Sequence, residues 1–462
     1  MLNLGQMQTR DCSGFSRRSL LQMGACSALG LGLEHLLAAK ASAAKPKPNK
    51  VKSVLLLWLW GGPSHHETWD PKPNAPLKIR GSYRPISTVV SGTQISELLP
   101  MSAQRADKFT IIRSMAHDQK DHNVGGTVSL TGHVNGAKAS GAQPFPGRVR
   151  PSMGALVSYL SSPTRTTNWP AFTAIGRNCN VSGATLLGQT ANALGAAHEP
   201  FRLDGFDFET GVTVPPSLEP LGEVAGSRLT NRKELLARID GWQKRIEQSG
   251  EVDRYTDLRK KAFGLISSSG AKQALNIDAE SEALRDRYGR TVFGQNCILA
   301  RRLIESDVPF VQVNWSGNAE DEQQGGDGGW DLHYRLFERM QDRYCPVFDR
   351  AFTALLDDLE SRGLLESTLV LAMGEFGRSP AISQIGGREH WPFGYSIVAA
   401  GGGTTAGRVI GASNFDGGYP ATRANHPIDL LVTVLELMGL DRNPLFDRDV
   451  ALLGHVIPEL IA

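Results

Sequence analysis

Val51 to Trp60 form an unbroken apolar run that stops at Gly61-Gly62, and no other feature constrains the fold as tightly. A run without polar alternation marks a strand buried on both faces, so it belongs in the middle of a parallel sheet covered by helices. Similar runs recur at Thr110 to Met115, Ala171 to Gly176, Val311 to Trp315, Ser367 to Met373 and Tyr395 to Ala400. Helix-like stretches separate them: Ile95 to Phe109, His122 to His133 with Asn123 as N-cap, Ser152 to Leu160, Leu332 to Ser361, and Asp429 to Met438. This alternation predicts an α/β fold, a three-layer doubly wound sandwich, as one domain over residues 51–462. Asn231 to Gln248 and Val252 to Ser267 are charged and helix-like. With Glu280 to Ser306 they read as a helical insert spanning roughly residues 225–306. Ser316 to Gly329, rich in glycine and acids, reads as a surface loop or lid.

Five polar clusters stand in glycine-rich turns, and three of them follow strand-like runs. They are Gly61 to Asp70 (containing His65, His66, Glu67 and Asp70), His117-Asp118-x-x-Asp121-His122, Trp330-Asp331-x-His333, Gly374-Glu375-Phe376-Gly377-Arg378, and Arg388-Glu389-His390-Trp391-Pro392. Side chains at the carboxyl ends of parallel strands converge on one cleft from distant points in sequence. Imidazoles and carboxylates together suit a divalent metal such as Zn, Mn or Fe. Each cluster also has a plainer reading. Asp331 is well placed to cap a helix. Glu375, at the end of a buried strand, needs a partner, and Arg378 is the nearest candidate. Arg378 also has the fork geometry to clamp an anion. His390 sits in a loop, where histidines are commonly just exposed, and the first two clusters read equally well as solvated turns.

Residues 1–43 contain Ser16-Arg17-Arg18-Ser19-Leu20-Leu21, a mild apolar run and Ala41-Ser42-Ala43. That is a twin-arginine signal peptide, so export to the periplasm or beyond is expected, with Lys45 to Lys50 as a short tether. Its apolar run is too weak and short for a stable membrane span. The segment holds Arg10, Arg17, Arg18 and Lys40 against Asp11 and Glu34, out of 49 basic and 47 acidic residues. The body of the chain is therefore formally neutral, which argues against nucleic-acid binding. Cys179, Cys297 and Cys345 leave room for one disulfide but imply no disulfide framework and no cysteine zinc site.

Several of these motifs together resemble the exported bacterial domain-of-unknown-function family 1501. They are Ser16-Arg17-Arg18, Leu57 to His65, Trp69-Asp70-Pro71-Lys72-Pro73, Leu130-Thr131-Gly132-His133, Trp330-Asp331-x-His333 and Gly374 to Arg378. That family is grouped with the alkaline phosphatase and sulfatase superfamily. The resemblance implies a large α/β sandwich with a hydrolase site at the sheet's carboxyl edge and a divalent metal (Zn, Mn, Ca or Fe). On the superfamily pattern Asp331 and His333 look like one metal pair, Glu375 takes a second carboxylate role, and His390 matches a late metal histidine. Phe376 stands where a histidine would follow Glu375. Trp60-Gly61-Gly62 replaces the usual first-strand aspartate, leaving His65 or Asp70 to substitute.

At the nucleophile position the pattern lands on His122, which excludes formylglycine and leaves His122 as ligand, base or phosphohistidine. Ser64, Thr127 and Ser129 are spare hydroxyls. The expectation is an exported metal-dependent hydrolase acting on a phosphate or sulfate ester through a metal-activated water. Asp331, His333, Glu375, His390 and Asp70 would be ligands, His122 and His65 bases or further ligands, and Arg378 an oxyanion clamp. Its substrate would be an anionic ester or polysaccharide. The alternative is a non-catalytic descendant of the fold that binds a polysaccharide or an envelope partner.

Overall fold

A computed structural model describes residues 51–165, 169–181, 184–203, 205–207, 211–212, 234, 269–315, 329–446, 450 and 452–461. The expected signal peptide, the tether, most of the charged helical stretches at 231–267 and the loop at 316–328 lie outside them. Eight strands form the main sheet: β1 (Ser53–Leu59), β2 (Phe109–Met115), β3 (Phe172–Ile175), β4 (Phe201–Leu203), β5 (Phe310–Trp315), β6 (Thr368–Met373), β7 (Tyr395–Gly401) and β8 (Arg408–Ile410). Their order is β8-β2-β7-β6-β1-β5-β3-β4. All neighbours pair in parallel except β7, which runs antiparallel to both β6 and β2. The sheet is therefore mixed rather than purely parallel.

Successive side chains of β1 point to opposite faces, so its unbroken apolar run fills two cores. Leu55, Leu57 and Leu59 join the core beneath α4 (Val292–Glu305) and α5 (Cys345–Ser361). Val54, Leu56 and Trp58 join the core beneath α2 (Met153–Ser161) and α6 (Pro427–Leu437). The result is the expected helix–sheet–helix sandwich. Helix α4 packs on the sheet and on α5. That stretch of the expected insert is thus part of the covering layer, not a cap standing apart from it.

Several local expectations need correction. The Ile95 to Phe109 stretch forms no long helix. Gln94–Ser96 pairs with Pro85–Ser87, and only Pro100–Ala103 makes a helical turn. Pro100 disfavours helical geometry at Leu99, which adopts φ −122°. Helix α1 (His122–Thr131) is capped by Asp121, not Asn123; its carboxylate accepts from the Asn123 and Val124 amides. Glu280 to Ser306 breaks at Gly289 (φ 89°) into α3 (Glu282–Tyr288) and α4. The stretch after Asp331 becomes helical only at Leu336, behind Arg335 in a left-handed conformation (φ 48°). Asp331 is therefore no helix cap. Cys179, Cys297 and Cys345 are all buried and free. Among the described residues no helix is long and apolar enough to cross a membrane.

The register sets the strand ends level. Leu59 pairs with Trp315 and Trp58 with Met373, so the turns after β1, β5 and β6 open onto one edge. β2 runs the same way and delivers the start of α1 there.

Candidate metal centre

Four side chains meet at that edge. Asp331 follows β5, His122 opens α1 after β2, and His333 and His390 come from the irregular segment and the short ribbon beyond. His122 Nε2 lies 3.0 Å from Asp331 Oδ2. His333 Nε2 and His390 Nε2 lie 3.0 Å and 3.1 Å from Asp331 Oδ1. The two imidazole nitrogens are only 2.9 Å from each other. His122, Asp331 and His390 have donor atoms all within 4.8 Å of one another.

The other ring nitrogen of each histidine decides what these atoms can be. His122 Nδ1 lies 2.6 Å from Glu375 Oε1, His333 Nδ1 lies 3.1 Å from Glu389 Oε2, and His390 Nδ1 lies 2.7 Å from the Lys120 carbonyl oxygen. The Glu375 and Lys120 oxygens accept, so His122 and His390 carry a proton on Nδ1 and donate it, while His333 Nδ1 lies within ion-pair distance of Glu389. In the neutral imidazoles Nε2 is then a lone pair. When His122 and His390 are neutral their Nε2 lone pairs face one carboxylate, and the close approach of the His333 and His390 nitrogens calls for a cation or a proton between them. The buried His122 Nε2 has no properly aligned hydrogen bond despite its nearness to Asp331. Histidines whose Nδ1–H is held by oxygen while Nε2 points into a shared space are the usual dress of a metal site. The donor set fits a divalent cation.

Charge points the same way. Burial opposes a charge on His122, but pairing with Asp331 and Glu375 outweighs it and pushes the imidazole up to about 9. Burial alone would raise the Asp331 carboxyl; the three imidazoles and Arg378 instead hold it well below the usual range. His390 is lowered, chiefly by burial. The pocket thus favours an added positive charge. It is also reachable, because the His333, His390 and Asp331 side chains remain 29%, 20% and 18% exposed.

Glu375 is not at the metal position expected for it. It is fully buried and accepts from the Gly61 amide at 2.9 Å while fixing His122. Gly61 (φ 105°) must be glycine, because a Cβ there would sit 2.3 Å from the Asp331 amide nitrogen. Gly387 is as confined: its Cβ would fall 1.8 Å from the His333 carbonyl oxygen, which is how the His390 loop packs against the Asp331 segment. Phe376 stacks on His390 at 4.6 Å and lies 5.0 Å from His122, with Trp60 at 5.3 Å from His122. These rings form an apolar wall behind the ligands.

The remaining expected residues are structural. Arg378 is fully buried and pairs with Asp331 at 2.5 Å, not with Glu375. It also donates to the carbonyls of Gly61, Gly62, Trp330 and Arg388. That leaves no free fork for an anion. His65 is buried, places Nε2 2.8 Å from the Gly417 carbonyl oxygen, and packs against His66 with the rings tilted at 42°. Burial drives its pKa down to about 4. Asp70 pairs with Lys72 at 3.0 Å and Arg113 at 3.4 Å, and accepts from Ser413. Neither reaches the Asp331 group. Sequence reasoning missed the Lys120 carbonyl and Glu389 as holders of His390 and His333. A main-chain carbonyl leaves no sequence signal.

The match to a family model now falls into place. The chain belongs to the DUF1501 family. Its model, described as a protein of unknown function, matches residues 51–461. No curated protein matches. Among solved structures the chain is similar to a 2-O GAG sulfatase (10% identity, 88% of this chain and 73% of that one, TM-score 0.39). It is also similar to a mutant of the alkaline phosphatase PafA (11%, 89% and 99%, TM-score 0.41) and to the alkaline phosphatase of the Antarctic bacterium TAB5 (11%, 85% and 99%, TM-score 0.34). At that identity and TM-score none of these likenesses reaches individual site residues.

Proposed function

We propose that this DUF1501 member is a metal-dependent hydrolase of phosphate or sulfate esters, with His122, Asp331, His333 and His390 holding the cation. The convergence of three imidazole Nε2 atoms on Asp331 carries this reading. Three nitrogens and a carboxylate suit Zn, Mn or Fe; Ca, which takes oxygen ligands, fits poorly. A divalent ion there would supply Lewis acidity to an ester oxygen and lower the pKa of a water toward neutrality. Glu375 and the Lys120 carbonyl hold the His122 and His390 tautomers through Nδ1, and Phe376 and Trp60 keep solvent from behind the ligands.

The attacking group is a water molecule rather than a side-chain hydroxyl. Ser64 donates to Glu67, Thr127 to the Asn123 carbonyl at 2.7 Å, and Ser129 to the Glu375 carbonyl at 2.8 Å, so all three spare hydroxyls are engaged inside the fold. The same engagement, with Arg378 equally committed, favours the second reading of a non-catalytic binding protein. We also infer export by the twin-arginine route, to the periplasm or outside the cell, from Arg17-Arg18 and Ala41-Ser42-Ala43; secreted protein beginning at Ala44 is the expected observation.

Metal analysis of the purified protein followed by turnover of p-nitrophenyl phosphate and p-nitrophenyl sulfate tests the pair of readings. One bound equivalent with turnover supports the hydrolase, and bound metal without turnover on any ester moves the assignment to the binding role. Less than one equivalent, unchanged in His333→Ala and His390→Ala, removes the metal centre altogether.

A further inference from the structure

We propose that Trp391, Phe393 and Tyr419, with the Lys120 ammonium, form a platform beside the metal centre for a saccharide bearing an anionic ester. The ester class rests on the hydrolase reading above; the platform itself does not. His390 and Trp391 are adjacent in a ribbon strand, so their side chains leave on opposite faces. One face carries the ligand to Asp331. The other carries an indole whose Nε1 donates to the Gly418 carbonyl. The His117 amide, donating to the Pro392 carbonyl at 2.9 Å, holds the same segment in place. Phe393 meets Trp391 at 5.1 Å and 81°, and Tyr419 meets it at 5.7 Å and 74°. Tyr419 is 50% exposed, so its ring is open to a ligand.

Lys120 joins the two faces. Its carbonyl fixes His390, while its Nζ stands 5.3 Å and 5.1 Å from the Trp391 and Phe393 ring centroids. The residue is exposed, and among the described residues its ammonium pairs with no carboxylate. A cation resting on half-buried rings gains little, whereas an anionic oxygen offers a charge-assisted hydrogen bond. The platform therefore offers ring faces and a cation together. A saccharide ring with its C–H faces and a sulfate or phosphate group answers both. Rings set at steep angles suit a puckered sugar better than a planar base. The one near-parallel pair, Phe393 and Tyr419 at 5.9 Å, is too close to admit a base between them.

Calorimetric titration of the whole protein with dextran sulfate, uncharged dextran and polyphosphate, with and without prior chelation of metal, tests the platform. Dextran sulfate is expected to bind in both states. Tyr419→Ala and Trp391→Ala should each weaken it about fivefold or more, the scale of one lost aromatic contact. Trp391→Phe, which keeps a ring face, should retain most of the binding and so separates stacking from a folding defect. Lys120→Ala should bring dextran sulfate down toward dextran, and polyphosphate should bind weakly and ignore Tyr419→Ala. Equal binding in Trp391→Ala and Tyr419→Ala, or polyphosphate matching dextran sulfate, would overturn the proposal. Loss of all binding on chelation would assign the ligand to the metal centre and refute the platform while leaving the hydrolase reading intact. Binding that persists in a metal-loaded protein without ester turnover would leave the platform standing and the hydrolase reading refuted.

Discussion

Two regions of the chain carry almost the same letters and do opposite things. The Gly61 to Asp70 turn and the Asp331 group are both rich in histidine and carboxylate, and both lie beyond strand ends. In the first, every charge meets an opposite. Glu67 takes Arg388 through a two-pronged pair at 2.6 Å and 3.1 Å, Asp70 takes Lys72 and Arg113, and the Nε2 atoms of His65 and His66 lie 2.8 Å from the carbonyl oxygens of Gly417 and Asp416. In the second, His122 and His390 spend a proton outward on Glu375 and Lys120, so that once neutral their Nε2 lone pairs face a carboxylate. What distinguishes the two regions is not residue type but whether imidazole Nε2 atoms meet main-chain carbonyls or converge on one carboxylate.

The largest expected break of this contrast is Asp331→Asn. It keeps an acceptor for buried Arg378 but removes the one carboxylate among the four ligands. Metal affinity should fall more than about 100-fold, beyond the range seen when an outer partner is lost; retained stoichiometric metal would contradict the assignment. Glu67→Ala should do the reverse. It strands a fully buried Arg388 at about 3–5 kcal/mol of stability, measured by denaturant unfolding, while the folded protein keeps its metal. A loss of metal at unchanged stability would place Glu67 in the wrong region.

Acid should separate the regions next. Burial holds His65 and His117 near pKa 4 and His66 well below its ordinary value, so the folded state binds fewer protons than the unfolded one. Their contribution is complete above about pH 6.5 and disappears as pH falls through 4, on the order of 3 kcal/mol for His65 alone. His122, raised to about 9, has the opposite sign. In chelated protein its contribution is full below about pH 6.5 and is lost as pH rises through 9. Bound metal takes the place of that proton, so the alkaline loss should vanish on loading. Identical alkaline profiles with and without metal would contradict this.

Two smaller effects sharpen the inner structure of the site. Glu375→Gln should lower metal affinity about 10–100-fold, the cost of an outer partner, without the near-total loss seen in Asp331→Asn. An effect as large as Asp331→Asn would return Glu375 to direct ligation. Ser129→Ala removes one of two donors to the Glu375 carbonyl and should cost about 1 kcal/mol. Ester turnover should stay within about tenfold, since one positioning contact of that size is worth no more. Abolished turnover with intact metal would make Ser129 a nucleophile.

Much of this was legible in the chain. Unbroken apolar runs gave the strands, and the shared direction of β2 and β5 brought His122 and the Asp331 segment to one edge; His390 reaches it because β7, which it precedes, runs antiparallel. His122 was legible as ligand or base. Four assignments were not readable. Glu375 sits where a ligand would, but the Gly61 amide turns it toward His122 Nδ1. Arg378 looked free because four of the groups it binds are main-chain carbonyls. Asp70 and His65 looked equivalent to the residues of the Asp331 group because Lys72, Arg113 and Gly417 become their neighbours only in the fold, just as Glu67 finds Arg388 321 residues away. Sequence shows which groups need partners but not which atom faces which.

Calorimetric titration of chelated protein with Zn, run beside His390→Ala, tests the convergence on Asp331 most directly. One tight site per chain, weakened at least about 100-fold by the substitution, is the predicted result. No tight site, or one of equal affinity in His390→Ala, would contradict it.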